Sequence, residues 1–310
     1  MPNLLQQTRF ALNELGIRPR TQLGQHFLID AEVVRRMVQA AELTPGMAVL
    51  EIGPGLGVVS EALVDIGVRL YLVELDRLLA QRLARRFGRF ETVRVLTDDF
   101  LKLDVARTFA HSPVRVVASL PYQVATPILF RLLEHRDRFS QATVMLQKEV
   151  AERVAAGPGT KAYGVLSVLM QLYAEVAPVC AVGPRSFFPA PKVHSQVIKL
   201  VFHAQPRVAV HDPSMFTRVV KAAFAQRRKT LRNTLRAAGF AAPEDMATQV
   251  GLDPQCRGET LGLEEFAALA NAFSERNEPS PPRPPGTAGR HSARRRDPGP
   301  KNTGRGGRAF

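Results

Sequence analysis

The stretch "AVLEIGPGLG", residues 48–57, decides the fold. A short apolar run reads as a strand and passes straight into Gly53, Gly55 and Gly57 at the start of a helical pattern, "VVSEALVDIG". Glycine lets the backbone turn sharply and approach a ligand, while the free N–H groups opening the helix face an anion. A dinucleotide fold wants its third glycine at position 58, but Val58 stands there and the third glycine comes one place early. That spacing favours a nucleoside carrying a carboxylate over a pyrophosphate.

Outward from this turn, "RLYLVELD" (69–76), "VRVLTDD" (93–99), "VRVVASL" (114–120) and "ATVMLQ" (142–147) read as further strands. Between strands lie the helical-period segments "RLLAQRLARRFG" and "PILFRLLEHRD". The alternation predicts an α/β, doubly wound, Rossmann-like domain whose ligands sit beyond the C-terminal ends of its strands. "SQVIKLVFH" (195–203) reads as one more strand, half of an antiparallel closing pair. From 213 to 273 the segments are helical only, which predicts a small C-terminal all-α domain. The expected boundaries are 1–204 for the N-terminal region with the α/β domain, 205–276 for the helical domain and 277–310 for a tail.

Two acids sharpen the ligand. Glu74 ends the second strand, 21 residues beyond Gly53, where a carboxylate accepts from both hydroxyls of a ribose. Asp98 and Asp99 end the third, where a carboxylate accepts from an adenine amino group. A lone strand-end acid is usually a helix cap, and a glycine turn is structural as often as functional. A glycine turn and two acids at the ends of three successive strands point instead to S-adenosyl-L-methionine.

The fourth strand stops abruptly in "VVASLPYQVATP", residues 116–127. This is where a methyltransferase needs its substrate-facing groups. An exocyclic amine has its lone pair delocalised into the base. A side-chain oxygen and a backbone carbonyl accepting both amino protons would concentrate that pair on nitrogen. Ser119 offers the oxygen, Pro121 stiffens the turn that aims the carbonyl of Leu120 or Pro121, and Tyr122 offers a stacking face. No general base is required if the proton leaves after transfer, so no strongly perturbed carboxylate is expected and catalysis rests on orientation and hydrogen bonding.

Bulk properties narrow the partners. The 310 residues are 45% hydrophobic, enough for a sizeable core. Neither an apolar leader nor a run of eighteen apolar residues is present, so no membrane association is expected. Cys180 and Cys256 suggest no disulfide framework, no Cys/His cluster has metal spacing, and a cytoplasmic setting is the expectation. The net charge of +14 points to a polyanion. Eight Lys/Arg against two acids from 277 to 310, in a Pro/Gly-rich setting, read as a disordered basic tail, and +8 remains on the rest.

Seven collinear motifs carry a resemblance: "TQLGQHFLID", "VLEIGPGLG", "LVELDR", "SLPYQVATP", "MLQKEVAERVAAGPGTKAYGVLSVLMQ", "SFFPAPKVHS" and "AFAQRRKTLRNTL". From Thr21 to Phe273 the chain resembles the rRNA adenine dimethyltransferase family. It is most similar to the ribosomal small-subunit enzymes that dimethylate N6 of two adjacent adenosines near the RNA's 3′ end. The resemblance implies that His26 and Leu28 line the cofactor site, with Gly53 beside the methionine moiety, Glu74 on the ribose and Asp99 on the adenine. It implies that Ser119, Leu120, Pro121 and Tyr122 face the target base and that Phe187 stacks on its other side. The implied substrate is small-subunit rRNA in an immature small ribosomal subunit, met by a monomer.

Two departures stand out. The family's fourth motif normally begins with Asn where this chain has Ser119, whose hydroxyl accepts but has a shorter reach and also donates. Losing one well-placed catalytic hydrogen bond costs roughly 2.7–4 kcal/mol. His194 stands where the family usually has Asp.

"KAAFAQRRKTLRNTLRAAG" places Lys221, Arg228 and Arg232 at helical spacings of seven and four, with Arg236 one turn further and Phe224, Leu231 and Leu235 on another face. Basic helix faces are usually just solvated, but beside an adenine-modifying site phosphate contact is the better reading. Two rivals remain: a resistance-type adenine methyltransferase of large-subunit rRNA, and an RNA-binding assembly factor with weak or lost methylation, which Ser119 keeps open.

Overall fold

The computed structural model describes residues 3–19, 24–110 and 113–277. It opens with α1 (Leu4–Glu14), β1 (Phe27–Leu28) and α2 (Ala31–Ala40). The winding follows as β2 (Ala48–Ile52), α3 (Val58–Ile66), β3 (Arg69–Glu74), α4 (Arg77–Phe87), β4 (Val93–Thr97) and the single-turn α5 (Val105–Thr108). It continues through β5 (Val114–Ser119), α6 (Ala125–Glu134), β6 (Phe139–Gln147), α7 (Lys148–Ala155) and α8 (Val165–Tyr173). Then come β7 (Ala174–Val182), β8 (Phe187–Phe188) and β9 (Ser195–Phe202). Four helices follow: α9 (Pro213–Phe224), α10 (Leu231–Ala237), α11 (Pro243–Gln249) and α12 (Leu263–Asn277). The tail expected from 277 on lies, beyond Asn277, outside the described residues.

Seven strands form one sheet in the order β4-β3-β2-β5-β6-β9-β7. The first five are parallel, and β9 runs antiparallel between β6 and β7, the closing pair expected of "SQVIKLVFH". All five residues of β2 are buried, as a strand covered on both faces must be. On one face Val33, Leu63, Leu83 and Phe87 from α2, α3 and α4 fill the space. On the other, Leu129, Leu132 and Met170 do so, and their cluster runs on without a break into Phe216, Leu235 and Phe266 of the C-terminal helices. Tyr163 rivets that junction, its ring edge-on to Phe224 at 5.7 Å and its hydroxyl donating to Leu261 O at 2.9 Å. Residues 203–212 link β9 to α9.

Three sequence expectations need correction. β4 ends at Thr97, so Asp98 and Asp99 stand just past the strand rather than in it. α6 begins at Ala125, before Pro127, because a proline in the first turn lacks only an N–H that the helix does not use. The basic residues do not share one helix face: α9 stops at Phe224, and Arg228 lies in a turn before α10. The break is forced from outside. Leu231 and Arg232 donate their N–H groups to Cys256 O and Pro254 O, at 2.7 and 3.2 Å. Any side chain at Gly258 would collide with Ala223, its Cβ 2.7 Å from Ala223 O.

Candidate active site

The strand order reverses between β2 and β5, and at such a switch point the loops diverge and leave a crevice. Here the crevice is a pocket lined by the Gly53–Gly55 turn, Glu74, and Ser119, Leu120, Pro121 and Tyr122. His26, Leu28 and Phe187 complete its wall. Ten of the eleven residues assigned by sequence to cofactor and base thus share one cavity. Asp99 is not among the lining residues; its Oδ1 accepts Leu101 N at 3.0 Å as a turn cap.

Each wall has a local cause. Gly53 (φ 66°) and Gly55 (φ 59°) hold left-handed backbone that a side chain disfavours. A Cβ at Gly53 would lie 3.6 Å from the Pro121 ring, and one at Gly55 would press to 3.3 Å on Phe27. Gly57 serves differently: a Cβ there would strike Phe87 at 2.8 Å and Leu83 at 2.9 Å, so its absence lets α4 pack against the start of α3.

Glu74 is 7% exposed and accepts two backbone N–H groups, Gly55 N on Oε2 and Asp76 N on Oε1, both at 2.9 Å. Burial raises its pKa, and the two N–H groups pull it back. Each oxygen keeps a second lone pair for a hydroxyl, which is the donor set a ribose presents. The pocket residues therefore fit a nucleoside cofactor.

β1 and β8 pair antiparallel, Leu28 opposite Phe187 and Phe27 opposite Phe188, so the segment before α2 is stitched to the segment before β9. Asp30 reinforces the stitch: it caps α2 through Glu32 N and Val33 N and accepts Ser186 Oγ at 2.8 Å. The His26 ring bonds Pro189 O at 2.7 Å, and a carbonyl only accepts, so Nδ1 carries the proton. That ring stacks on Tyr122 with centroids 5.8 Å apart and planes at 27°. Ser119 ends β5 in register with Met145 of β6, and Leu120 N bonds Met145 O at 3.1 Å. Val124 N bonds Pro121 O at 3.1 Å and closes the turn.

A profile of the family described as "Ribosomal RNA adenine dimethylase" matches residues 16–275. This chain belongs to that family. It is 47% identical over 255 residues to the "Ribosomal RNA small subunit methyltransferase A" of Syntrophotalea carbinolica, covering 82% of this chain and 96% of that protein. Its identity to the like-named protein of Geobacter sulfurreducens is also 47%, over 265 residues, covering 83% and 96%. Among solved structures, a dimethyladenosine transferase from Plasmodium falciparum superposes with a TM-score of 0.65 at 24% identity, covering 81% of this chain and 98% of that one. The 23S rRNA methyltransferase ErmE gives 0.63 at 24%, covering 80% and 99%. Both likenesses concern the fold.

Within this dimethylase, three residues at or beside the pocket were given no role by the sequence reading. Against the expectation of no strongly perturbed carboxylate, Glu51 lines the pocket although it is 2% exposed; burial, opposed by a hydrogen bond from Ser60 Oγ at 2.6 Å and aided by the Glu74 charge, pushes its pKa up to about 8. A single acid inside the apolar run "AVLEIG" was the available signal. Ser195 and Pro189 meet Tyr122 and His26 only through contacts of long sequence separation, which no local pattern reveals. His194 is exposed, outside the pocket wall, and its carbonyl accepts Lys148 N at 3.0 Å.

Of the basic residues, Arg236 is ion-paired with Glu244, while Lys221 and Arg228 are exposed with no ion pair among the described residues. Among those residues no group of His, Cys, Asp and Glu could hold a metal ion, and no helix is long and apolar enough to cross a membrane.

Proposed function

We propose that this chain binds S-adenosylmethionine in the switch-point pocket and dimethylates N6 of two adjacent adenosines near the 3′ end of small-subunit rRNA during ribosome assembly. The observation that carries the reading is the meeting, in one cavity, of a ribose-type acceptor (Glu74) with an amine-type acceptor set (Ser119 and the turn after it). The identity of the relatives named for the small subunit selects that RNA over the large-subunit rival.

When bound, S-adenosylmethionine supplies an electrophilic methyl group. Glu74 would hold the ribose hydroxyls with the lone pairs its two N–H partners leave, and the Gly53–Gly55 backbone would face the methionine end. Asp99 would take the adenine amino group; what supports this is that it follows β4, which pairs in register with β3, the strand that Glu74 ends.

At the substrate amine, Ser119 Oγ accepts a hydrogen bond from one amino N–H. Val124 N already occupies one lone pair of the Pro121 carbonyl in closing the turn, so the Leu120 carbonyl is the less committed acceptor and we assign it the second hydrogen bond. Tyr122 and Phe187 hold the base. Lys221 and Arg228 contact phosphate, which positions RNA without reading its sequence. We place the enzyme in the cytoplasm, acting as a monomer on immature small subunits.

The test supplies purified protein with labelled S-adenosylmethionine and small or large subunits lacking the modification. Label on small-subunit RNA is expected, from both the natural chain and Ser119→Asn. Label on large-subunit RNA alone would favour the resistance-type activity. Transfer by Ser119→Asn but not by the natural chain would make this an assembly factor.

A further inference from the structure

The proposed base-stacking ring is fixed at both ends, and one fixture, Ser195, closes the motif "SFFPAPKVHS" eight residues after Phe187 without a role assigned to it by sequence. Tyr122 OH and Ser195 Oγ are 2.6 Å apart, across 73 residues of sequence. Ser195 is fully buried at the start of β9, paired with Gln147 of β6 on one side and Val182 of β7 on the other. Few side chains have a stiffer mounting than one between two hydrogen-bonded neighbours in a sheet interior. At its other end Tyr122 follows Pro121, whose carbonyl is locked into the turn by Val124 N.

The third constraint is His26. It covers one face of the Tyr122 ring and is itself held by Pro189 O. A base stacking on Tyr122 therefore meets the opposite face, and the tilt of that face is set by where the hydroxyl is pinned. A tyrosine free at its hydroxyl end would swing about its Cα–Cβ bond, and a base resting on it would swing too. The target nitrogen must be placed to a few tenths of an ångström for in-line attack, so such freedom lowers the rate more than the affinity.

We infer that Ser195 is a positioning residue for methyl transfer, acting through its hydrogen bond to Tyr122 to set the plane on which the target adenine stacks. This rests on the adenine-methylating reading and adds to it a residue that touches neither cofactor nor base. The hydroxyl matters, not the size of the side chain. Ser195→Ala removes the anchor and Ser195→Thr keeps it, while Tyr122→Phe removes the same bond from the other side.

The experiment measures kcat and KM for small-subunit substrate, with melting temperature and S-adenosylmethionine affinity, for the wild type, the three single variants and Ser195→Ala/Tyr122→Phe. Ser195→Ala and Tyr122→Phe are each expected to lower kcat about tenfold, the worth of one hydrogen bond, with KM and cofactor affinity within about twofold. Ser195→Thr is expected to stay within about threefold of wild type, and the double variant to be no slower than the worse single one. A wild-type kcat in Ser195→Ala would overturn the positioning role alone. So would equal loss in Ser195→Thr and Ser195→Ala, or losses that multiply in the double variant. A wild-type chain inactive on every subunit would remove the adenine-methylating reading itself, and the positioning role with it.

Discussion

Glu74 accepts the backbone N–H of Gly55 at 2.9 Å, which fastens the end of β3 to the glycine turn that follows β2. One carboxylate thereby shapes the turn and keeps lone pairs for a ligand. In Glu74→Gln an amide NH2 replaces one oxygen and faces a backbone N–H it cannot accept. Titration calorimetry is expected to show S-adenosylmethionine binding about 10–100-fold more weakly in this variant, since hydrogen bonds to charged groups are the stronger kind. An unchanged affinity would place the ribose elsewhere.

Gly57 separates packing from binding. Its φ of 81° and the collision of a Cβ with Leu83 and Phe87 make Gly57→Ala strained in backbone and core together. Calorimetric or denaturant unfolding is expected to show a loss of roughly 2–4 kcal/mol, from the left-handed backbone and the overpacked core combined. A glycine present only to admit the cofactor would leave the ligand-free protein as stable as before.

Glu51 makes stability depend on pH. Its folded-state pKa is raised from the usual 4.5 to about 8, so between those values the folded chain holds a proton that the unfolded chain has released. Stability therefore falls as pH rises through this window and levels off above it. Glu51→Gln, which stays neutral, removes that part of the slope; the raised pKa of Glu74 leaves some behind. Melting temperatures at pH 5 and pH 8 are expected to differ less in Glu51→Gln than in wild type, and an identical difference would show a carboxyl ionised when folded.

Arg228 and Arg236 should behave differently on RNA. Arg228 is exposed in the turn after α9 without an ion pair among the described residues, whereas Arg236 is held by Glu244. Arg228→Ala is expected to weaken binding to small subunits and to reduce the slope of log affinity against log salt by about one. Arg236→Ala is expected to change the slope less. Filter binding across a salt series distinguishes the two, and equal effects would mean that the Glu244 pair opens on contact.

The parts of this fold that local pattern determines were readable. The β2–turn–α3 unit, Glu74 at a strand end and the arrest of β5 at Ser119 all follow from periodicity, glycine and proline. β7 was not readable, because "AEVAPVCAV" carries a proline and a register shift that an edge strand tolerates and a pattern does not show. The basic stretch misled for the complementary reason. Its helical spacing is real, but backbone bonds to Cys256 and Pro254 break the helix from outside. At the site, the residues assigned from motifs line one pocket, Asp99 excepted. Those that hold them, Ser195 and Pro189, act through contacts 73 and 163 residues away in sequence.

The central claim is that one pocket carries two methyl groups to N6 of each of two neighbouring adenosines. Mass spectrometry of nuclease-digested RNA, after unmodified small subunits are incubated with the purified chain and S-adenosylmethionine, reads this most directly. The account predicts N6,N6-dimethyladenosine at two adjacent positions near the 3′ end of the small-subunit RNA. A methylated base other than adenine, or no new methylation at that end, would contradict it.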